Sequence, residues 1–269
     1  MTDTLDEVKR ESIRNLITDG KRSDGRAFDE FREITLDNDY ISTAEGSCLV
    51  HFGNTQVLVA VKTLTGVPYP DSPDQGVLIT SAELVPAASP EVESGPPNSN
   101  KKYVEIARVT DRSIRESKMI DMKKMCIEEG KHVRMVFIDI HILDDLGNLI
   151  DAATLGSVVA LRGGKMSKVK VEGEEIEVLE ETEPIPTQGI PLACSVAKFG
   201  NNLIVDPTNE EEIAMDSKMV YGIDEEGNIR AMQKSGSGPW TPDEVKAGLE
   251  LASKTLKSLR KKLKLEKIA

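Results

Sequence analysis

The sequence predicts an α+β fold of two similar halves, each a series of strands followed by a helix. Short runs of branched aliphatic residues alternate with turn residues in both halves. Longer segments of helical period follow them. An acidic, proline-bearing stretch over 180–191 separates the two. The expected division is an N-terminal helix over 1–20, a first half over 21–180, and a second half over 181–269 that ends in a helix. At 269 residues the chain can bury an ample core as one large domain or two small ones.

Residues 5–17 place Leu5, Val8, Leu16 and Ile17 at helical spacing and stop at Asp19-Gly20, a glycine suited to a helix C-terminus. The turn Arg22-Ser23-Asp24-Gly25-Arg26 follows. Strands are expected over 31–36, 47–52, 56–63 and 77–85, the second and third joined across Gly53-Asn54-Thr55 as a hairpin. Residues 86–100, rich in Pro, Ser, Glu and Asn, read as a loop. A long helix is expected over 101–129, ending at Gly130. The next strand, 133–143, sets Val136, Ile138, Ile140 and Ile142 on one face. A turn over 144–148 leads into a buried helix of small and apolar residues over 149–161, closed by Gly163-Gly164. Residues 169–171 and 176–179 flank a Gly-Glu turn. In the second half, 192–198 and 203–205 pair across Gly200-Asn201-Asn202, and 219–223 and 229–233 pair across 225–228. The last helix opens on Thr241-Pro242-Asp243-Glu244, an N-cap, a proline in the first turn and a capping-box glutamate. It runs to residue 263, and 257–267 forms a basic end suited to a solvated helix C-terminus.

Hydrophobic residues at 39% and charged residues at 30% describe a globular chain with a charge-rich surface. Aromatics at 4% argue against stacking platforms as the main binding mode. A net charge of −12 repels phosphates in general and restricts any nucleic-acid contact to a local basic site. No apolar run approaches the roughly 18 residues that span a bilayer, and the polar, acidic residues 1–7 are unlike a signal peptide. Cys48, Cys126 and Cys194 lie far apart without C-x-x-C spacing and read as buried, reduced thiols of a cytoplasmic protein. His51, His132 and His141 lack metal-ligand spacing, and His51 and His141 fall in strands, where a structural role is expected.

Four segments, in this order and spacing, carry a resemblance. Arg22-Ser23-Asp24-Gly25-Arg26 resembles the R-x-D-G-R that opens the RNase PH superfamily, which includes exosome ring subunits and the core domains of polynucleotide phosphorylase. G-S-C-L-V-H-F-G-N-T-Q-V-L-V-A-V at 46–61 is similar to that family's paired strands. L-I-V-D-P-T-N-E-E-E at 203–212 is similar to its later hairpin and acidic segment, and M-Q-K-S-G-S-G-P-W-T-P-D-E-V at 232–245 to its last strand and helix. The resemblance extends from about Gly20 to Leu259. It implies an RNase PH-like fold and a 3′→5′ phosphorolytic ribonuclease assembly that releases nucleoside diphosphates. It further implies a hexameric ring, in which catalytic and non-catalytic subunits alternate in the archaeal exosome, with RNA-binding cap subunits.

Within that resemblance the phosphate site is missing. Active members carry G-[GS]-[ST]-R-T-A, whose Arg and hydroxyl hold phosphate at a helix start. The matching stretch here is Gly147-Asn148-Leu149-Ile150-Asp151-Ala152, with Leu149 at the hydroxyl position, Ile150 at the Arg position, and Asp151 adding negative charge where the phosphate would lie. The family's acidic [AT]-D-M reads Ser217-Lys218-Met219, so Lys218 reverses the charge. Val159-Ala160-Leu161 and Asp206-Pro207 hold the register of both matches. The resemblance thus implies a non-catalytic subunit, with no catalytic residue, metal or cofactor of its own, whose partner is a catalytic paralogue. An active self-assembling enzyme and an unrelated binding module on the same fold are the alternatives.

One basic feature remains. Arg108, Arg112 and Arg115 are spaced i, i+4, i+7 and share a helix face, while Ile106, Val109, Ser113, Ser117 and Ile120 suit packing on the other. Spacing alone also allows a solvated face with Asp111–Arg115 and Arg112–Glu116 ion pairs. By resemblance, the D-R-S-[IL]-R segment is an RNA-contacting helix beside the neighbouring subunit's active site, so single-stranded RNA is the expected ligand of these arginines.

Overall fold

Alternation of buried and half-exposed side chains builds the first sheet. In this computed structural model, which describes residues 2–84, 88, 101–172 and 175–268, its strands are β1 (Ile34–Asn38), β2 (Gly46–Phe52), β3 (Thr55–Gly66), β4 (Val77–Leu84), β5 (Cys126–Glu128) and β6 (His132–Asp144). They run in the order β1-β2-β3-β6-β4, with β5 also on β6. Only β4 and β6 are parallel. Val57, Val59 and Val61 of β3 and Val136, Ile138, Ile140 and Ile142 of β6 all turn into the core. The second sheet contains β9 (Leu192–Phe199), β10 (Asn202–Val205), β11 (Ser217–Ile223) and β12 (Ile229–Ser235), antiparallel throughout in the order β10-β9-β11-β12. The chain opens with α1 (Thr2–Thr18), whose Ile13 and Ile17 pack against Ala197, Phe199 and Ala214.

Between the two sheets lies α3 (Leu149–Gly163), buried from 149 through 161 and packed on β2, β3 and β9. A helix apolar on all sides can be stable only with neighbours all round. Gly156 makes the closest approach possible, since a Cβ there would lie 2.8 Å from the Val50 and Val59 methyls. The last helix, α5 (Pro242–Leu263), covers β9 and β11 and opens with the expected Thr241–Glu244 capping box.

Three expectations change. The helix expected over 101–129 is α2 (Lys101–Glu116) alone. Lys118 takes a left-handed φ of 55°, and the Lys118 and Met119 N–H groups donate back to Arg115 and Ile114 carbonyls at 3.0 and 3.2 Å, a Schellman closure. The turn carries Met119, Ile120 and Met125 into the core, and 126–128 pairs with β6. Apolar spacing that suits a longer helix is satisfied instead by tertiary packing. The stretch 180–191 is also divided: 180–184 belongs to a ribbon of β7 (Lys165–Glu172) and β8 (Glu175–Pro184), leaving 185–191 as the connector. Exposed glutamates are tolerated on this two-stranded ribbon because it touches the core only near its base, at Met166. A short helix, α4 (Asn209–Ala214), is new. Its Thr208–Glu211 capping box stood in the sequence, but six residues are too few to show a period. The Gly173-Glu174 turn and the loop over 86–100, apart from buried Ala88, lie outside the described residues.

The halves are locked by Asp206, just after β10, at φ 48° and fully buried. Its carboxylate accepts from Arg26 Nη1 at 2.7 Å, Arg32 Nη2 and Nε at 2.8 and 3.0 Å, the Arg32 backbone N–H at 2.8 Å and Asn148 Nδ2 at 2.7 Å. Beside it, Arg22 makes a buried bidentate pair with Glu211 at 2.9 and 2.6 Å and donates to the Val205 and Asp206 carbonyls. A second tie joins α3 to β9, where Asp151 accepts from the Ser195 backbone N–H and Oγ, both at 2.8 Å. Burial pushes the Asp151 carboxyl up to about 6; hydrogen bonds from Ser195 and Asn148 oppose the rise, and the Asp206 charge adds to it.

Asp206→Ala strands a buried Arg cluster without its counter-charge and is expected to cost about 3–5 kcal/mol in urea unfolding. Asp206→Asn, which suits the left-handed backbone and keeps acceptor and shape, should cost less; equal losses would show that the charge is immaterial. Because Asp151 binds its proton more tightly folded than unfolded, its contribution is fully present below the ordinary 3.8 and lost as pH rises through about 6. The swing is about 3 kcal/mol. Stability of Asp151→Asn should therefore decline less than wild type between pH 4 and 7, and parallel curves would exclude Asp151 as the source.

Candidate functional site

At the start of α3 the positions expected to hold phosphate are closed. Gly147 and Asn148 both adopt positive φ, 90° and 60°, and turn the chain into the helix. Gly147 lies so close to the 207–209 backbone that a Cβ would fall 2.5 Å from the Asn209 nitrogen. Leu149 and Ile150 then point into packed surroundings at 3% and 4% exposure. Lys218, from β11, reaches the same place and pairs with Glu212 of α4 at 2.8 Å. These three residues, with Lys102, Glu105, Ile106 and Glu212, surround a cavity of about 30 Å³. That volume admits about one water and no phosphate.

Burial works against the charge of Lys218, but the Glu212 carboxylate and its hydrogen bond outweigh burial and hold the ammonium above its ordinary pKa. The ion pair is internally neutralised, so neither group is left to serve as acid or anion binder. Asp151 does not face this site as expected. It points inward to Ser195, because a carboxylate buried in the first turn needs the donors that β9 supplies. Glu212 is the participant that sequence reasoning missed; its signal was the acidic run after Thr208, which indicated charge but not direction.

The α2 arginines form the second locus. Tyr103, Ile106, Val109, Thr110, Ser113 and Ile114 pack inward, and Arg108, Arg112 and Arg115 are exposed on the other side. The structure divides them. Arg115 is held by Asp111, Nη2 to Oδ1 at 2.8 Å and Nε to Oδ2 at 2.9 Å, and donates to the Leu78 carbonyl at 2.9 Å. Arg108 and Arg112 have no ion pair among the described residues, and the Arg112–Glu116 pair that spacing allows does not form. With Lys101, Glu105 and Gln233 these two line an open cleft of about 400 Å³ between α2 and β12. Two guanidinium groups without an ion pair among the described residues make a local concentration of positive charge on a chain of net charge −12.

Cys48 and Cys194 are buried free thiols, and burial, then neighbouring aspartates, raises both, Cys48 to about 12. Cys126 departs from the expected burial, since β5 lies at the margin of the sheet and leaves it partly exposed. Among the described residues no group of three or more His, Cys, Asp or Glu is arranged to hold a metal, and no helix is long and apolar enough to cross a membrane.

Comparison with known proteins agrees with this architecture. The model of the 3′ exoribonuclease family, domain 1, matches residues 30–166, and that of domain 2 matches residues 189–255. The exosome complex component Rrp42 of Pyrococcus horikoshii is 47% identical over 256 residues, covering 94% of this chain and 93% of that protein. The component of the same name from Methanopyrus kandleri is 45% identical over 263 residues, covering 97% and 98%. A chain from the Archaeoglobus fulgidus exosome with RNA bound to the active site superimposes with a TM-score of 0.88 at 40% identity, covering 97% of this chain and 99% of that one. A chain of an archaeal exosome core gives a TM-score of 0.85 at 40% identity, covering 98% and 99%. With both domains matched in order and relatives this similar along nearly their whole length, the chain belongs to the 3′ exoribonuclease, or RNase PH, family.

Proposed function

We propose that this chain is a non-catalytic subunit of an archaeal exosome, a cytoplasmic 3′→5′ phosphorolytic exoribonuclease complex. It scaffolds a hexameric ring by alternating with a catalytic RNase PH-like paralogue, lies beneath RNA-binding cap subunits, and holds single-stranded RNA near the partner's active site. The filled site at Leu149, Ile150 and Lys218 is the observation that carries this reading. Phosphorolysis breaks the terminal phosphodiester by attack of inorganic phosphate and releases a nucleoside diphosphate. It needs a held anion and donors aimed at developing charge. Two hydrocarbon side chains and a closed ion pair provide neither. Similarity to exosome components, and to a chain from an RNA-bound exosome, supports the assembly.

RNA contact falls to the α2 face. Arg108 and Arg112 lie about 6 Å apart along the helix axis and can each take phosphate oxygens through a guanidinium fork, without base preference. Arg115 is the third member, and it must share its guanidinium with Asp111 to take part.

The purified chain alone should release no nucleoside diphosphate from RNA with or without phosphate, whereas the ring with its catalytic partner should do so only with phosphate; release by the lone chain at the ring's rate would overturn the assignment. In that ring, Arg108→Glu with Arg112→Glu should weaken RNA binding and lower the slope of log affinity against log salt by roughly one per lost contact. Arg115→Glu should have a smaller effect. An unchanged affinity and slope in the double variant would reduce the stripe to a solvated face.

A further inference from the structure

At the C-terminal end of α2 a second cleft, of about 440 Å³, opens between the helix end, the start of β4 and the segment before it. That size lies within the range of small-ligand pockets. Its floor is apolar, made by Leu78, Ile114 and Ile120, while Tyr69, Arg115, Lys118 and Asp121 stand around it, the Asp121 carboxylate being paired with Lys124 at 3.4 Å. Tyr69 is 54% exposed in a chain with few aromatics. Burying an apolar ring is favourable, so a tyrosine left open beside a cleft presents a free face for stacking.

The cations of this cleft are only partly compensated. Asp111 and the Leu78 carbonyl occupy Nε and Nη2 of Arg115, leaving Nη1 without a partner among the described residues. Lys118 takes its left-handed φ of 55° at the helix end, where its carbonyl accepts from Gln188 Nε2 at 2.9 Å. That bond fixes the backbone from which the lysine side chain extends, and its ammonium has no carboxylate partner among the described residues. Lys123, also at the cleft, is 3.9 Å from Asp74, too long for a strong pair.

We propose that this cleft is a single-nucleotide subsite for RNA: the base stacks on Tyr69 over the apolar floor, and its phosphate is taken by Arg115 Nη1 and Lys118 Nζ. The proposal rests on the reading of α2 as an RNA-contacting helix and extends it. Arg115 belongs to both the stripe and the cleft, so a strand laid along Arg108 and Arg112 reaches the subsite about 10 Å from Arg108 along the helix axis, and about 4.5 Å beyond Arg112. Contacts to backbone and a base face imply tolerance of sequence, with unpaired rather than duplex RNA as the ligand.

The test uses the assembled ring and a single-stranded oligoribonucleotide carrying 2-aminopurine at successive positions, whose fluorescence is quenched where the base stacks. Wild type should show quenching at one position beyond those set by the partner's site. Tyr69→Ala should abolish it and lower affinity by about 5- to 100-fold, the range of one base–aromatic stack. Tyr69→Phe should retain both, and Lys118→Ala should lower the salt slope by about one. If Tyr69→Ala binds and quenches like wild type while Arg108→Glu with Arg112→Glu loses RNA, the subsite is refuted and the α2 reading survives. If both variants bind as wild type, both readings fail. If Tyr69→Ala yields no ring by light scattering, the cleft is a subunit contact and the proposal is overturned.

Discussion

Everything that positions the functional surfaces depends on one buried carboxylate. Asp206 gathers Arg26, Arg32 and Asn148 around a single point, and Glu211 holds Arg22 beside it. Arg22, Arg26 and Arg32 come before β1, Asn148 is the residue before α3, and Asp206 and Glu211 belong to the second half. Two carboxylates and three guanidinium groups taken out of water would be costly if any were left unpaired. Nearly every buried polar group here has a hydrogen-bond partner, several of them backbone carbonyls, so the cluster tolerates one arrangement of the chain. Asn148 Oδ1 is the exception, buried without a partner.

That constraint fixes how α3 enters the space between the sheets. Because Asn148 is tied to Asp206 in a left-handed conformation, Leu149 and Ile150 must face the junction of α2, α4 and β11. A helix start normally offers free N–H groups to an anion. Here the side chains above it are hydrocarbon, and of the nearby cations Lys218 is neutralised by Glu212 and Lys102 by Asp145. The start of α3 is thus closed by packed side chains. Filling it adds apolar burial where an open anion site would leave a cavity, which is consistent with a subunit that contributes shape and surface rather than chemistry.

The surface charge follows a related logic. The chain is acidic overall, yet α2 displays arginines on the side opposite its packing face. Asp111 restrains Arg115 through an i, i+4 pair, whereas among the described residues no ion pair restrains Arg108 or Arg112. An acidic background discourages phosphates from settling elsewhere and leaves a narrow track of favourable potential.

Much of this was determined by sequence alone. The alternation of Val136, Ile138, Ile140 and Ile142, the small and apolar residues of 149–161, and the Thr241-Pro242-Asp243-Glu244 cap each specify an element through local rules, and each formed as expected. The hydrocarbon side chains of Leu149 and Ile150 and the charge of Lys218 were likewise legible, because side-chain chemistry is a property of the sequence. Tertiary structure decided the rest. Only packing shows that α2 stops at Glu116, since Ile120 satisfies a helical period as well as it fills the core after a turn. Only the fold reveals that Asp151 faces Ser195, that Lys218 meets Glu212, and that Asp111 occupies Arg115 rather than Arg108 or Arg112. The physical reason is one of range: caps and periodicity act over a few neighbouring residues, whereas the partner of a buried charge is chosen by whichever distant segment the fold brings within hydrogen-bond reach.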